Sequence, residues 1–360
     1  MPPYRLRCPL RPDKLTIIFI FLIIEDMRSG RVAARVAAGV AISAIAAGCG
    51  TASGGGNGGD GDAVSVITGV YPLEWLATQV GGDRVEVTNL TEPGTEPHDL
   101  ELSPPQIREI NDADISFYVH GLQPAIDDAL EQQPSERLLD VGDLVKLLPA
   151  DVAAGADEGH DHEHDDGHEG GEEHGHGEES GDGHDHGDTD PHMWQDPQLM
   201  AEAATGLAKR LAEVDPDHAD AYTANAEKVG SELDAIDDEY SAGLAECESR
   251  DLLTNHTAFG YLAHRYDLRQ VGISGLDPET EPSPARIAEV ADLVQDKGIT
   301  TVFTETLASP AVAETIASET GATTAVLDPI EGITDQSPGD DYPSVMRANL
   351  KAISKGLGCS

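Results

Sequence analysis

The sequence has 360 residues, 39% of them hydrophobic, with 22 Lys and Arg against 67 Asp and Glu and a net charge of −45. That length allows two domains with sizeable cores, and the charge excludes a nucleic-acid partner, because binding phosphates needs clustered cations. A G-x-x-x-x-G-K-[ST] phosphate loop is also missing from the sequence.

In chain order the first feature is an export signal. From Met27 the chain reads MRSGRVAARVAAGVAISAIAAGCG, a basic start followed by an apolar stretch too short to span a bilayer. Its end, Ala46-Ala47-Gly48-Cys49, resembles a bacterial lipobox with Cys49 as the lipidated residue. Residues 1–48 are therefore expected to be a leader, with translation starting at Met27; the alternative is that LTIIFIFLII, upstream of Met27, is an extra anchor. Residues 49–62, rich in Gly, are expected to form a flexible tether.

Short apolar runs alternating with helical patterns then predict parallel sheets. Strands are expected at 64–70, 84–90, 114–121 and near 138–142, and in the second half at 251–255, in LRQVGIS, at 299–305 and at 323–328. Many of the helices between them open on Ser or Asp followed by Pro: Ser103-Pro104, Asp196-Pro197, Asp215-Pro216, Ser283-Pro284 and Ser309-Pro310. The side-chain oxygen caps free N–H groups, and proline at the first helical position has no N–H to leave unpaired. Between the halves, Val229, Leu233, Ile236, Tyr240 and Leu244 recur at helical spacing, predicting one long helix over 218–247.

The expected organisation is an α/β protein of two lobes, each a mainly parallel sheet flanked by helices, joined by that helix. The first lobe covers 63–196, the connecting helices 197–248 and the second lobe 249–360. Apart from Cys8 and Cys49, the cysteines are Cys247 and Cys359. An even pair in an oxidising compartment is expected to form a disulfide.

Residues 151–190 carry 16 Asp or Glu and no Lys or Arg, with His and Gly in most gaps. Such a composition cannot bury a core, so a disordered loop is expected. His168-Glu169 does not open an H-E-x-x-H zinc helix, because the next histidine is His174. His160, His162, His164, His168, His174, His176, His184 and His186 are expected to bind borderline cations weakly, since binding must first order the chain. The other reading of the stretch is a solvated acidic spacer.

Four residues outside that tract stand at strand ends or beside capped helices: His98 in GTEPHDLELSP, His192 in DPHMWQDP, His256 in LLTNHTAFGYL and Asp328 in AVLDPIEG. In open parallel sheets, ligands bind outside the carboxyl ends of the strands. Three neutral imidazoles and a carboxylate suit tetrahedral zinc, although any one histidine after a strand could equally be a cap or a surface residue. Glu96, Glu281 and Glu305 are candidates to orient a ligand imidazole, and the sequence does not choose among them. His120, His218 and His264 are expected on the surface.

These segments, with GLDPETEPSPARIAEV, resemble in order the motifs of zinc ABC-transporter substrate-binding proteins, the ZnuA-like group of metal-binding lipoproteins, over nearly the whole exported chain. The resemblance implies His98, His192, His256 and Asp328 as Zn²⁺ ligands between two lobes. It also implies a receptor lipid-anchored to the outer face of the bacterial cytoplasmic membrane, acting as a monomer and delivering the ion to a membrane permease with its ATPase. The alternatives are a manganese or iron receptor of the same fold, a surface zinc buffer or adhesin, and a zinc hydrolase. Enzymatic activity is not expected, because the carboxylate would close the position that catalytic zinc keeps open.

Overall fold

The computed structural model describes residues 63–153 and 189–360; the leader, Cys49, the tether and the eight tract histidines lie outside the described residues. The first lobe runs β1 (Val64–Thr68), α1 (Tyr71–Gly81), β2 (Val85–Asn89), α2 (Pro104–Asp112), β3 (Ile115–Tyr118), α3 (Pro124–Leu130), β4 (Leu138–Asp140) and α4 (Ala150–Ala153). Two helices follow, α5 (Pro197–Val214) and α6 (Ala219–Gly243). The second lobe runs β5 (Asp251–Thr254), α7 (Gly260–Arg265), β6 (Arg269–Gly272), α8 (Pro284–Lys297), β7 (Thr301–Thr304), α9 (Ala311–Thr320), β8 (Thr323–Val326) and α10 (Tyr342–Leu357).

Both sheets are parallel and share one topology. Their orders are β2-β1-β3-β4 and β6-β5-β7-β8, so the chain reverses its direction of winding beside β1 in one lobe and beside β5 in the other. Parallel strands need helices on both faces, and here they have them. In the first lobe, Val66, Ile115 and Phe117 face the main core, while Ile67, Leu90, Ile110 and Ile126 form a second cluster on the opposite face. In the second lobe, Leu253, Val302, Val290 and Ile316 make the corresponding cluster under α8 and α9.

Local capping follows the sequence pattern in part; α9 departs from it, because its N-cap is Pro310, not Ser309, and the Pro310 side chain makes no cap bond. Asp196 accepts the Gln198 amide at 2.8 Å, Ser283 accepts the Arg286 amide at 3.2 Å, and the Gln106 side chain accepts the Ser103 amide at 2.9 Å. Asp215 differs: it opens a single tight turn and instead accepts the Tyr222 hydroxyl at 2.7 Å.

α6 is the joining helix, and it ends at Gly243, short of the expected boundary. Its 25 residues reach about 37 Å at the usual rise per residue. α5 packs along it. Asn225 donates from α6 to the Val80 carbonyl of α1 at 2.9 Å, and Tyr240 donates to the Met346 carbonyl of α10 at 2.6 Å, so each end is tied to a different lobe. Just beyond α6, a disulfide joins Cys247 to Cys359. Among the described residues no helix is long and apolar enough to cross a membrane.

Candidate metal centre

His256 and Glu305 are neighbours because their strands are. β5 and β7 lie side by side, His256 stands two residues past β5, and Glu305 one residue past β7. This is the reversal point of the sheet, where the crevice rule places ligands. Glu305 Oε1 accepts the His256 backbone N–H at 3.0 Å, and Oε2 lies 2.6 Å from Nδ1. Of the three glutamates singled out from sequence, Glu305 orients a ring; Glu281 is exposed, and Glu96 faces the backbone N–H of His98 at 3.3 Å.

His192 is held in the same way by a residue that sequence reasoning passed over. Asp190 Oδ1 accepts the His192 backbone N–H at 2.9 Å and sits 2.7 Å from Nδ1. With Nδ1–H directed at a carboxylate in both residues, the neutral rings carry their lone pairs on Nε2, aimed at a common point.

At that point the carboxylate is Glu331 and not Asp328. One ligand atom each from His98, His192, His256 and Glu331 all fall within 4.8 Å of one another, and all four residues are buried. Asp328 is diverted by a turn. Its Oδ1 accepts the Ile330 amide at 2.8 Å, while its backbone is tied to Asn349 by bonds of 3.0 and 2.7 Å. Ile330 then adopts a φ of 64°, a left-handed conformation rare for a β-branched residue, and this turns the next residue, Glu331, toward the imidazoles. The turn is braced from the other side by Trp194 and Gln195, which donate to the Pro329 carbonyl at 2.8 and 2.6 Å.

The spacing of the four groups tests whether a metal fits. Tetrahedral zinc with bonds of about 2.0–2.1 Å requires ligand atoms about 3.3–3.4 Å apart. His192 Nε2 lies 3.3 Å from His98 Nε2, and Glu331 Oε1 lies 3.3 Å from His192 Nε2, 3.3 Å from His256 Nε2 and 3.6 Å from His98 Nε2. Both Glu331 oxygens and His256 Nε2 are buried without a well-formed hydrogen bond in the protein. Buried polar atoms of this kind are ordinarily partnered; a shared cation satisfies them together.

Electrostatics match the geometry. Burial alone would push His192 down, but Asp190 and Glu331 outweigh it and hold the ring at about 9. His256 is likewise raised, against burial, by Glu305 and Glu331. His98 is lowered by burial, which the Glu331 contact only partly offsets. Burial would raise Glu331, yet the three imidazoles hold it well below the usual carboxylate range. Nearby, burial and the Glu331 charge push Glu96 well above the usual carboxylate range.

The remaining histidines lie elsewhere. His120 has a largely exposed side chain 3.2 Å from Asp127, His218 pairs with Asp215 at 2.7 Å, and His264 is exposed on α7.

The family described as "Zinc-uptake complex component A periplasmic" (ZnuA) matches residues 66–356. The chain belongs to the ZnuA family. Among its relatives, the zinc-binding lipoprotein AdcA of Streptococcus pneumoniae serotype 4 is 35% identical over 298 residues, covering 81% of this chain and 55% of AdcA. The chain thus spans about half the length of the streptococcal relatives it matches. The high-affinity zinc uptake system protein ZnuA of Bacillus subtilis is 33% identical over 303 residues, covering 82% of this chain and 88% of that protein. Of solved ZnuA-like structures, the laminin-binding protein Lmb of Streptococcus agalactiae superposes with a TM-score of 0.67 at 30% identity, covering 82% of this chain and 99% of Lmb. Zn(II)-bound AdcA of S. pneumoniae superposes with a TM-score of 0.65 at 30% identity, covering 82% of this chain and 58% of AdcA.

Proposed function

We propose that the chain is an extracytoplasmic receptor that captures Zn²⁺ between its lobes and delivers it to an ABC permease for uptake. The observation that carries this reading is the buried set of three Nε2 atoms and one carboxylate oxygen at tetrahedral spacing. His98, His192 and His256 are the imidazole ligands, and Glu331 takes the fourth position that Asp328 was expected to fill. A shell closed by four protein groups leaves no place for an activated water, which favours a carrier over a hydrolase. Zinc-binding relatives and a Zn(II)-bound structural neighbour support the choice of ion.

Retention at the membrane through a lipid on Cys49, with residues 49–62 as the tether, follows from the lipobox-like sequence and from relatives named lipoproteins. The histidines between His160 and His186 are accessory weak sites. Metal analysis of the exported protein should find one ion that survives a competing chelator, and deleting 157–188 should keep that ion while removing weaker ones. Equimolar manganese should not displace it, because imidazole ligands favour zinc. Replacing His98, His192 or His256 by Ala should abolish tight binding; a variant that retains wild-type affinity would overturn its assignment.

A further inference from the structure

Tyr261 lies on α7 of the second lobe and is 2% exposed. Its hydroxyl accepts the Leu148 N–H at 2.8 Å and donates to the Asp190 carbonyl at 2.6 Å. Leu148 and Asp190 are the two sides of a stem in the first lobe. The Asp190 amide donates to the Leu148 carbonyl at 2.9 Å, and Pro149 and Thr189 form an antiparallel bridge. One phenol oxygen therefore closes both sides of the stem and fastens them to the opposite lobe. With its N–H and C=O both engaged, the Asp190 backbone is fixed, and its carboxylate is the group that holds His192.

The helix approaches so closely because Gly260 has no side chain. A Cβ there would stand 2.6 Å from the Ala153 Cβ and 2.8 Å from Asp190 Oδ2. Phenylalanine in place of Tyr261 would fill the same apolar space but leave the Leu148 amide and the Asp190 carbonyl without this partner, so the hydroxyl itself has a task.

We propose that Tyr261 is a positioning residue for the metal centre: it sets the His192 ring through Asp190 and couples that setting to the contact between the lobes. The inference rests on the zinc reading above. Its test compares Tyr261→Phe, Asp190→Asn, the double variant and Gly260→Ala, with His192→Ala as control. Tight-site affinity is read by chelator competition, ligand geometry by the visible absorption of the Co²⁺-loaded protein, and amide exchange in the metal-free protein. Tyr261→Phe should weaken zinc about ten-fold, the lower end for groups that orient a ligand. It should also shift the Co²⁺ spectrum and speed exchange at the Leu148 and Asp190 amides. In the Asp190→Asn background it should add less than about two-fold, since both changes act on one ring. Gly260→Ala, which crowds the Asp190 carboxylate, should also weaken zinc. Wild-type affinity and spectrum in Tyr261→Phe, whatever its melting temperature, would overturn the inference, as would effects that multiply fully with Asp190→Asn. Should Tyr261→Phe fail to fold, wild-type affinity in Gly260→Ala would overturn it instead. Wild-type affinity in His192→Ala would overturn the zinc reading and the inference with it.

Discussion

Glu305 grips His256 at two points, the backbone N–H at 3.0 Å and ring Nδ1 at 2.6 Å, so that one carboxylate fixes both the loop and the orientation of the ring. Such a grip removes the ring's rotational freedom before any ion arrives, and orientation is what a metal ligand needs. Glu305→Gln keeps the size but loses the charge and one acceptor. It should weaken zinc about 10- to 100-fold in a chelator titration while leaving the circular dichroism spectrum unchanged. Wild-type affinity in that variant would show that the grip is incidental.

Glu331 and Asp328 make a discriminating pair. Glu331→Ala removes a ligand atom and should abolish tight zinc binding. Asp328→Asn retains an oxygen to accept the Ile330 amide, so the turn survives and affinity should change by no more than a few-fold. The opposite ranking would restore Asp328 as the ligand.

Proton release offers a third measurement. Metal-free His192 is held at about 9 and His256 well above its ordinary value, whereas zinc accepts only the neutral ring. Zinc must therefore expel protons at neutral pH. Its affinity should climb as pH rises from about 7 towards 9 instead of levelling just above the unperturbed histidine value of about 6.5. A flat profile across that interval would contradict the charge state assigned to the site.

The disulfide should matter to stability and little to binding. Cys247 and Cys359 close a loop of 112 residues in sequence, and the Ser249 and Ser360 amides donate to Leu357 and Glu246 across the same junction at 3.1 and 3.0 Å. In the chain-entropy account a loop of that length stabilises by about 4–5 kcal/mol. Replacing both cysteines by Ser should lower the unfolding free energy measured in denaturant by about that amount. Tight-site zinc affinity should hold, since the four grouped residues lie outside this junction.

Much of this was legible because parallel strands covered on both faces place apolar residues side by side, as Leu252-Leu253 in DLLT and Val302-Phe303 in TVFT, and because Ser-Pro and Asp-Pro pairs mark helix starts. The three histidines could be picked out by their places after strands and beside a capped helix. The fourth position could not. Choosing Glu331 over Asp328 depends on a left-handed Ile330, and a β-branched residue gives no sequence signal for that conformation. Asp190 was hidden differently: it closes a tract of 16 acidic residues, and its role rests on its bonds to Leu148, Tyr261 and His192 in the fold. A D-P-H triplet was the one available hint, a carboxylate two residues ahead of an imidazole with proline stiffening the step.

Because α6 is bonded to α1 near one end and to α10 near the other, each lobe is fastened to one stiff helix, which favours small adjustments over a wide jaw-like swing. If the chain is the receptor proposed above, its loaded and empty forms should share nearly the same silhouette. On the function proposed above, a permease that rejects empty carriers would read the rim of the site, near the exposed Glu92 and Asp335, and not the outline. Under that proposal, cargo status is a message written in a handful of side chains, and altering Glu92 or Asp335 should blur it without loosening the ion.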